Sequence, residues 1–146
     1  CSGGRYDNLA SQGSKKYPGV GLSIGLSRLV SYMLHTAGAH ANRVSPASVL
    51  VAVWNEKNRS ASNLIANQLR ARGIAADVAP TAAKLGKQIK YADKLGIPYV
   101  WFPADESAQD ASDEVKNIIT GDQQPADAQS WEPDTVYAQQ TVTVEA

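Results

Sequence analysis

Apolar and polar positions change their period several times along the 146 residues. In residues 19–25, Val20, Leu22 and Ile24 alternate with small residues, which predicts a strand with one buried face. From Leu26 the period lengthens. Leu26, Leu29, Val30 and Met33 recur at helical spacing, so a helix is predicted to about His35, with Gly38 beyond its end. A short extended stretch is predicted around Arg5 to Leu9. Residues 36–48, small and polar with Pro46, read as a linker.

Beyond the linker, Ser48 to Trp54 (S-V-L-V-A-V-W) is almost continuously apolar, as in a strand buried on both faces. A helix follows, capped by Asn58 or Ser60. Its stripe is Ala61, Leu64, Ile65 and Leu69, with Arg70 and Arg72 in the last turn and Gly73 as the stop. Ile74 to Val78 reads as a second strand, Lys84 to Leu95 as a second amphipathic helix ended by Gly96 and Pro98, and Tyr99 to Phe102 as a third strand. This β-α-β-α-β alternation predicts a parallel core with right-handed crossovers. Glu114 to Ile119, the Gly121-Asp122 turn and Gln123 to Ala128 predict a hairpin at the sheet edge. Residues 129–146 carry weak signals, and the closing T-V-T-V is read as a strand or as disorder.

Net charge is zero, but unevenly distributed. Residues 1–104 hold 13 of the 14 Lys and Arg against four acids, a net +9. Residues 105–146 hold ten acids and one base, a net −9. Such asymmetry fits a polyanion-binding face on the first part, or an acidic solubilising tail on the second. No run of about 18 apolar residues exists, so no membrane span or membrane partner is expected. The single cysteine allows no internal disulfide and fits a reducing, cytoplasmic compartment. Cys1, His35 and His40 match no metal-ligand spacing, and no metal site is predicted. The chain begins at Cys1 and has Met33 as its one methionine, which predicts a fragment, a processed product or part of a longer chain.

Gly19, Gly21 and Gly25 are spaced one residue too long for a dinucleotide fingerprint and open a strand rather than follow one. Without side chains at Gly21 and Gly25, a flat ligand can lie against this strand, with Arg28 in the next helix reaching a phosphate. The same residues also fit a strand packed closely on a neighbour, with Arg28 exposed. In the second helix Lys84, Lys87, Lys90 and Lys94 form one stripe, with Gln88 and Tyr91 among them for base hydrogen bonds and stacking. A solvated helix face is the alternative, weakened by the presence of a single acid, Asp93. The loop Asn55-Glu56-Lys57-Asn58-Arg59 follows the first buried strand, where open α/β sheets bind ligands. Asn55, Lys57, Asn58 and Arg59 suit RNA edges and phosphates.

These residues carry a resemblance. C-S-G-G-R-Y-D-N-L, from Cys1 to Leu9, resembles the G-G-R-Y-D segment of histidyl-tRNA synthetases. P-G-V-G-L-S-I-G-L-S-R-L, from Pro18 to Leu29, resembles motif 3 of class II aminoacyl-tRNA synthetases in its histidyl version. V-L-V-A-V-W, Q-I-K-Y-A-D-K-L-G-I-P-Y-V and V-K-N-I-I-T-G-D-Q-Q are similar, in that order, to the class IIa anticodon-binding domain. The resemblance implies an α/β fold: an anticodon-binding-domain-like mixed sheet of about five strands with flanking helices. A strand-helix remnant of a class II catalytic domain would precede it. Residues 1–45 would be that remnant plus linker, and residues 46–146 the anticodon-binding domain with a poorly defined tail.

By the same resemblance Arg28 holds ATP phosphate during adenylation. Gly4, Arg5, Tyr6, Gly21 and Gly25 line the histidine and adenylate pocket. The 55–59 loop and the lysine helix take the anticodon region of histidine tRNA. The implied reaction joins L-histidine to ATP as histidyl-adenylate, then passes the histidyl group to the tRNA 3′ end, with Mg²⁺ and arginine stabilising charge. A homodimer is implied for the full-length enzyme. Motifs 1 and 2 are not found in these residues, so the chain alone is expected neither to bind a cofactor nor to charge tRNA. Two rival readings are a non-charging regulatory subunit of histidine biosynthesis and a protein-interaction module. The segment 48–128 argues against the first, and the lysine stripe discriminates the second, since a tRNA domain should lose affinity steeply with added salt. Cut from its sheet, the 1–35 segment is expected to be disordered, docked on the following domain, or paired with a second copy.

Overall fold

The computed structural model describes residues 2–36, 38–104 and 112–144. The chain forms two compact units, Cys1–His40 with Thr143–Ala146, and Ala41–Val142.

In the first unit, β1 (Ser2–Tyr6) and β2 (Gly19–Ser23) pair antiparallel, with Gly4 opposite Gly21 and Arg5 opposite Val20. Helix α1 (Leu26–His35) follows, as the change of period predicts. Two strands and one helix are too few to enclose a core. Val20, Leu22, Leu26, Leu29, Val30 and Met33 are all exposed, and α1 buries no residue.

The second unit is built on a five-stranded mixed sheet in the order β5-β4-β6-β7-β8. Its strands are β4 (Val49–Val51), β5 (Ala76–Val78), β6 (Tyr99–Phe102), β7 (Glu114–Asn117) and β8 (Gln123–Pro125). β4 pairs parallel with β5 on one side and β6 on the other, while β6-β7 and β7-β8 are antiparallel. Side chains alternate across each strand, which explains the continuous apolar run of β4. Val49 and Val51 face helix α2 (Arg59–Ala71) and its Ile65, Ala66 and Leu69. Leu50 and Ala52 face the other layer, where Ala92, Ile89 and Leu85 of α3 (Leu85–Leu95) pack with Val100 and Phe102. α3 ends at Gly96, which is left-handed at φ 70° and is approached so closely that an added Cβ would meet the Cβ of Arg43 at 2.9 Å.

The fold class matches the expectation, with four local differences. Leu64 lies on the outer face of α2, and Ser62 takes the inward position with its hydroxyl donating to Ala52 O at 2.8 Å. Ser62 and Leu69 are seven residues apart and share the inner side with Ile65 and Ala66, whereas Leu64 falls outside that arc. Asn58, one of the two predicted caps, is the N-cap of α2 but makes no side-chain cap bond. Asn55 instead caps a 3₁₀ turn at Glu56–Asn58, its Oδ1 accepting from Asn58 N at 3.0 Å. The predicted linker contains β3 (Ala39–Ala41), laddered with β9 (Val142–Val144).

The fourth difference is the weakly patterned C-terminal stretch, which carries the short helix α4 (Thr135–Ala138) and closes the α2 face of the sheet. Trp131 meets Tyr99 and Trp101 edge-on at centroid distances of 5.1 and 5.6 Å. Tyr137 meets Tyr99 at 6.2 Å. Such pairs contribute about 0.5–1.5 kcal/mol each beyond the area they bury. Arg72 holds the stretch down, donating to Ala128 O at 3.1 Å and Trp131 O at 2.6 Å, and Arg43 donates to Tyr137 O at 2.8 Å.

Candidate functional site

In the first unit the strand register assigns the predicted pocket residues to faces. Gly4 and Gly21 are opposite one another, and Tyr6 shares their face. A Cβ built on Gly21 would lie 2.6 Å from Tyr6 Cε2, so the ring lies directly over this glycine. The Tyr6 ring thus fills the space a side chain at Gly21 would take, while a Cβ at Gly4 would meet nothing within 4 Å. Arg5 does not join it. One residue along the strand, it points to the opposite face, where its Nε donates to Asp7 Oδ1 at 2.8 Å. Gly25 is the N-cap of α1, and Arg28 stands three residues on in the first turn, exposed. Among the described residues no group of three His, Cys, Asp or Glu side chains comes together to hold a metal.

In the second unit α3 presents Lys84, Lys87, Lys90 and Lys94 on its exposed side. At about 1.5 Å per residue this cationic row is roughly 15 Å long. No ion pair among the described residues involves any of the four. Tyr91 is also at the surface, beside Lys87, and both line a depression of about 220 Å³. Gln88 does not belong to this row. It is buried at 3 % exposure, and its amide is committed to backbone: Oε1 accepts from Val53 N at 3.0 Å, and Nε2 donates to Val53 O at 2.8 Å and Ala83 O at 2.6 Å. Its helical position, one residue past Lys87, turns it toward the sheet. There a polar side chain is tolerated because each hydrogen-bonding group finds a partner.

The 55–59 loop divides in the same way. Lys57 is exposed. Asn55 uses its carbonyl oxygen as a cap, and Asn58 is half-buried. Arg59 is engaged on every side, donating to Glu56 Oε2 at 2.6 Å, Glu56 Oε1 at 2.7 Å, Ala79 O at 2.8 Å and Pro80 O at 3.2 Å. Glu56 Oε1 also accepts from Ala82 N at 3.0 Å. The Arg59 side chain and then the Ala82 amide hold the Glu56 carboxyl well below its ordinary range, at about 2. Arg59 therefore joins loop 55–59 to loop 79–82, rather than presenting a free guanidinium to phosphate.

Both loops lie at the carboxyl ends of parallel strands, and this edge has a topological switch point. β4 has β5 on one side and β6 on the other, so the chain leaves it in two directions. Trp54 spans that point. It follows β4, and its indole Nε1 donates to Pro103 O, just beyond β6, at 2.7 Å. In the sequence Trp54 is only the end of an apolar run, yet it is 43 % exposed. The signal was an aromatic residue ending a strand at the carboxyl edge of a parallel sheet. Asp122, Glu132 and Asp134 line a separate hollow of about 210 Å³ that is also lined by Tyr99 and Val115, on the α2 side.

A mixed sheet with helices on both faces and a cationic outer helix defines an α/β module with one basic face, and comparison with known proteins gives its family. The profile of the anticodon binding domain family matches residues 48–132, and the chain belongs to that family. The histidine–tRNA ligase of Bifidobacterium animalis subsp. lactis is 82% identical over 146 residues, all of this chain and 31% of the relative. That of Cutibacterium acnes is 53% identical over 137 residues, 92% of this chain and 30% of the relative. The crystal structure of histidyl-tRNA synthetase from Nostoc sp. PCC 7120 superposes with a TM-score of 0.54 at 32% identity, covering 86% of this chain and 30% of that one. The apo S. aureus histidyl-tRNA synthetase gives 0.50 at 25% identity, covering 85% and 36%. The chain thus spans just under a third of the length of the curated relatives it matches.

Proposed function

We propose that this chain is the C-terminal part of a histidine–tRNA ligase and that its second unit binds the anticodon region of histidine tRNA. The observation that carries the reading is the exposed row Lys84, Lys87, Lys90 and Lys94, unpaired among the described residues, on a domain of the anticodon-binding family. A row of ammonium groups along one helix follows a phosphate backbone, and Tyr91 offers a ring beside it. Lys57, Asn55 and Asn58 extend the contact to the carboxyl edge of the sheet. Gln88 and Arg59 act indirectly, by holding α3 and the two loops in place.

In the whole enzyme, residues 1–45 would complete the catalytic domain and residues 46–146 would serve as the anticodon-binding domain. Gly4 and Gly25 would leave room for the flat face of the adenylate, with Tyr6 packed on Gly21 beside it and Arg28 holding ATP phosphate. Arg5, on the opposite face, would support the strand through Asp7. Mg²⁺ would supply further charge stabilisation at the phosphates, and no residue of this chain is assigned to it. Histidine and ATP would be the small substrates, the working form a homodimer, and the compartment the cytoplasm. This chain by itself is expected to show no histidine-dependent ATP–pyrophosphate exchange, and detectable exchange would overturn that part of the reading.

Titration of the chain with histidine tRNA at several salt concentrations tests the binding role. With four phosphates engaged, the slope of log affinity against log salt should be about −3. No binding at low salt would sink the RNA reading and leave a protein partner as the alternative.

A further inference from the structure

We propose that Trp54 is a base-stacking residue: its indole takes one unpaired nucleobase of the bound RNA loop, and Lys84 takes the adjoining phosphate. The inference rests on the tRNA-binding reading above and deepens it. Three observations converge on this residue. First, Trp54 is 43 % exposed, although Ala52 and Val53, which link it to β4, are wholly buried. A side chain of this size at the end of such a strand would ordinarily be covered. Second, its one polar atom is already satisfied, because Nε1 donates to Pro103 O at 2.7 Å. The bond fixes the plane of the ring and leaves only its faces to interact, so the site is suited to stacking and not to hydrogen-bonded readout. Third, Trp54 and Lys84 line one hollow of about 460 Å³ together with Val53, Ala82, Ala83 and Leu85. That lining contains no acid and a single cation, which stands at the start of the lysine row.

The chemistry of this hollow is that of a single-stranded RNA site: an apolar plate for a base and an ammonium for its phosphate. A protein segment would gain little from an isolated ammonium beside a fixed ring, whereas every nucleotide carries both a π-face and a charge. The neighbouring depression repeats the arrangement with Tyr91 and Lys87, and Ala83 lines both. Double-stranded RNA offers no splayed base to such a plate, so the occupant is an unpaired loop nucleotide.

The test uses the whole chain, an unmodified histidine tRNA transcript, and the variants Trp54→Leu and Trp54→Phe. Stacking on an aromatic plate is expected to make Trp54→Leu bind about tenfold more weakly, while Trp54→Phe stays within about threefold of the parent. Thermal melting of each variant reports any structural effect. The parent supplies a second readout that needs no variant. Trp101 is wholly buried and Trp131 is partly covered, so tRNA should quench emission and shield it from acrylamide mainly at Trp54. Unchanged emission on binding, or Trp54→Leu binding as tightly as the parent, would overturn the stacking role and leave the tRNA reading intact. Failure of the parent to bind tRNA at low salt would overturn both.

Discussion

Helices α2 and α3 cover opposite faces of the same sheet, have similar lengths, and are both rich in bases, yet their cations do different work. The guanidinium groups of α2 and its C-cap point into the protein. Arg59 donates to Ala79 O and Pro80 O, Arg70 to Ala76 O, and Arg72 to Ala128 O and Trp131 O. The four lysines of α3 stand at the surface and enter no ion pair among the described residues. A planar guanidinium with five fixed donors satisfies several carbonyls at once. An ammonium on a flexible stem is strongly hydrated and loses rotamer freedom when tied down. The comparison shows that a basic excess over residues 1–104 overstates the charge available to a ligand. Of the ten Lys and Arg in residues 41–142, the four arginines donate to backbone carbonyls, and the four lysines on α3 supply the proposed RNA face.

The largest test of this contrast is reversal of the α3 row. Lys84→Glu, Lys87→Glu, Lys90→Glu and Lys94→Glu together should weaken histidine tRNA binding at least about a hundredfold at low salt and flatten the salt dependence. The urea midpoint should move little, because no described contact is lost. Arg72→Ala should do the opposite. Losing a charged donor from two part-buried carbonyls should cost about 1.5–3 kcal/mol in urea unfolding, with tRNA affinity unchanged. If Arg72→Ala weakened binding without lowering stability, the division of labour between the helices would be wrong.

Glu56→Gln gives a smaller effect with a pH signature. The folded carboxyl titrates at about 2, below its ordinary 4.5, because it accepts first from Arg59 and then from Ala82 N. A depressed folded value means the contribution is complete above about pH 4.5 and fades as pH falls toward 2. The melting-temperature deficit of Glu56→Gln should therefore be largest near neutrality and shrink through that window. A deficit that does not change with pH would rule out the ion pair as its cause. The smallest expected change is that of Lys87→Ala alone. The salt slope should become shallower by about 0.7–0.9, and stability should stay within about 0.5 kcal/mol.

Much of the second unit was legible because its signals were local. The apolar run of β4, the switch to helical spacing and the glycine stops at 73 and 96 each act within a few residues. The Gly121-Asp122 turn likewise needed no distant partner to be read. The C-terminal stretch was illegible for the opposite reason. Trp131 and Tyr137 have no periodic neighbours, and their environment comes from Tyr99 and Trp101, about thirty residues earlier in the chain. Leu64 falls outside the arc that Ser62, Ile65, Ala66 and Leu69 turn toward the sheet, and there the Ser62 hydroxyl donates to Ala52 O. In the first unit, the resemblance implies Arg5 in one pocket with Gly4 and Tyr6, but alternation along β1 sends it to the other face.

What this sequence determined by itself was the class of each element, the α/β order, and the residue types able to meet a phosphate or a base. Those follow from periodicity, turn chemistry and charge, which depend only on neighbours in the chain. Which of those residues remain free for a ligand was decided by the tertiary structure alone. Gln88 and Arg59 are claimed by carbonyls of Val53, Ala79, Ala83 and Pro80 that only folding brings within reach, while Trp54 stays at the surface with its indole bonded to Pro103 O just beyond β6. A buried backbone carbonyl must find a donor. Where that donor is a long polar side chain from another element, its role is set by the packing and not by its place in the sequence.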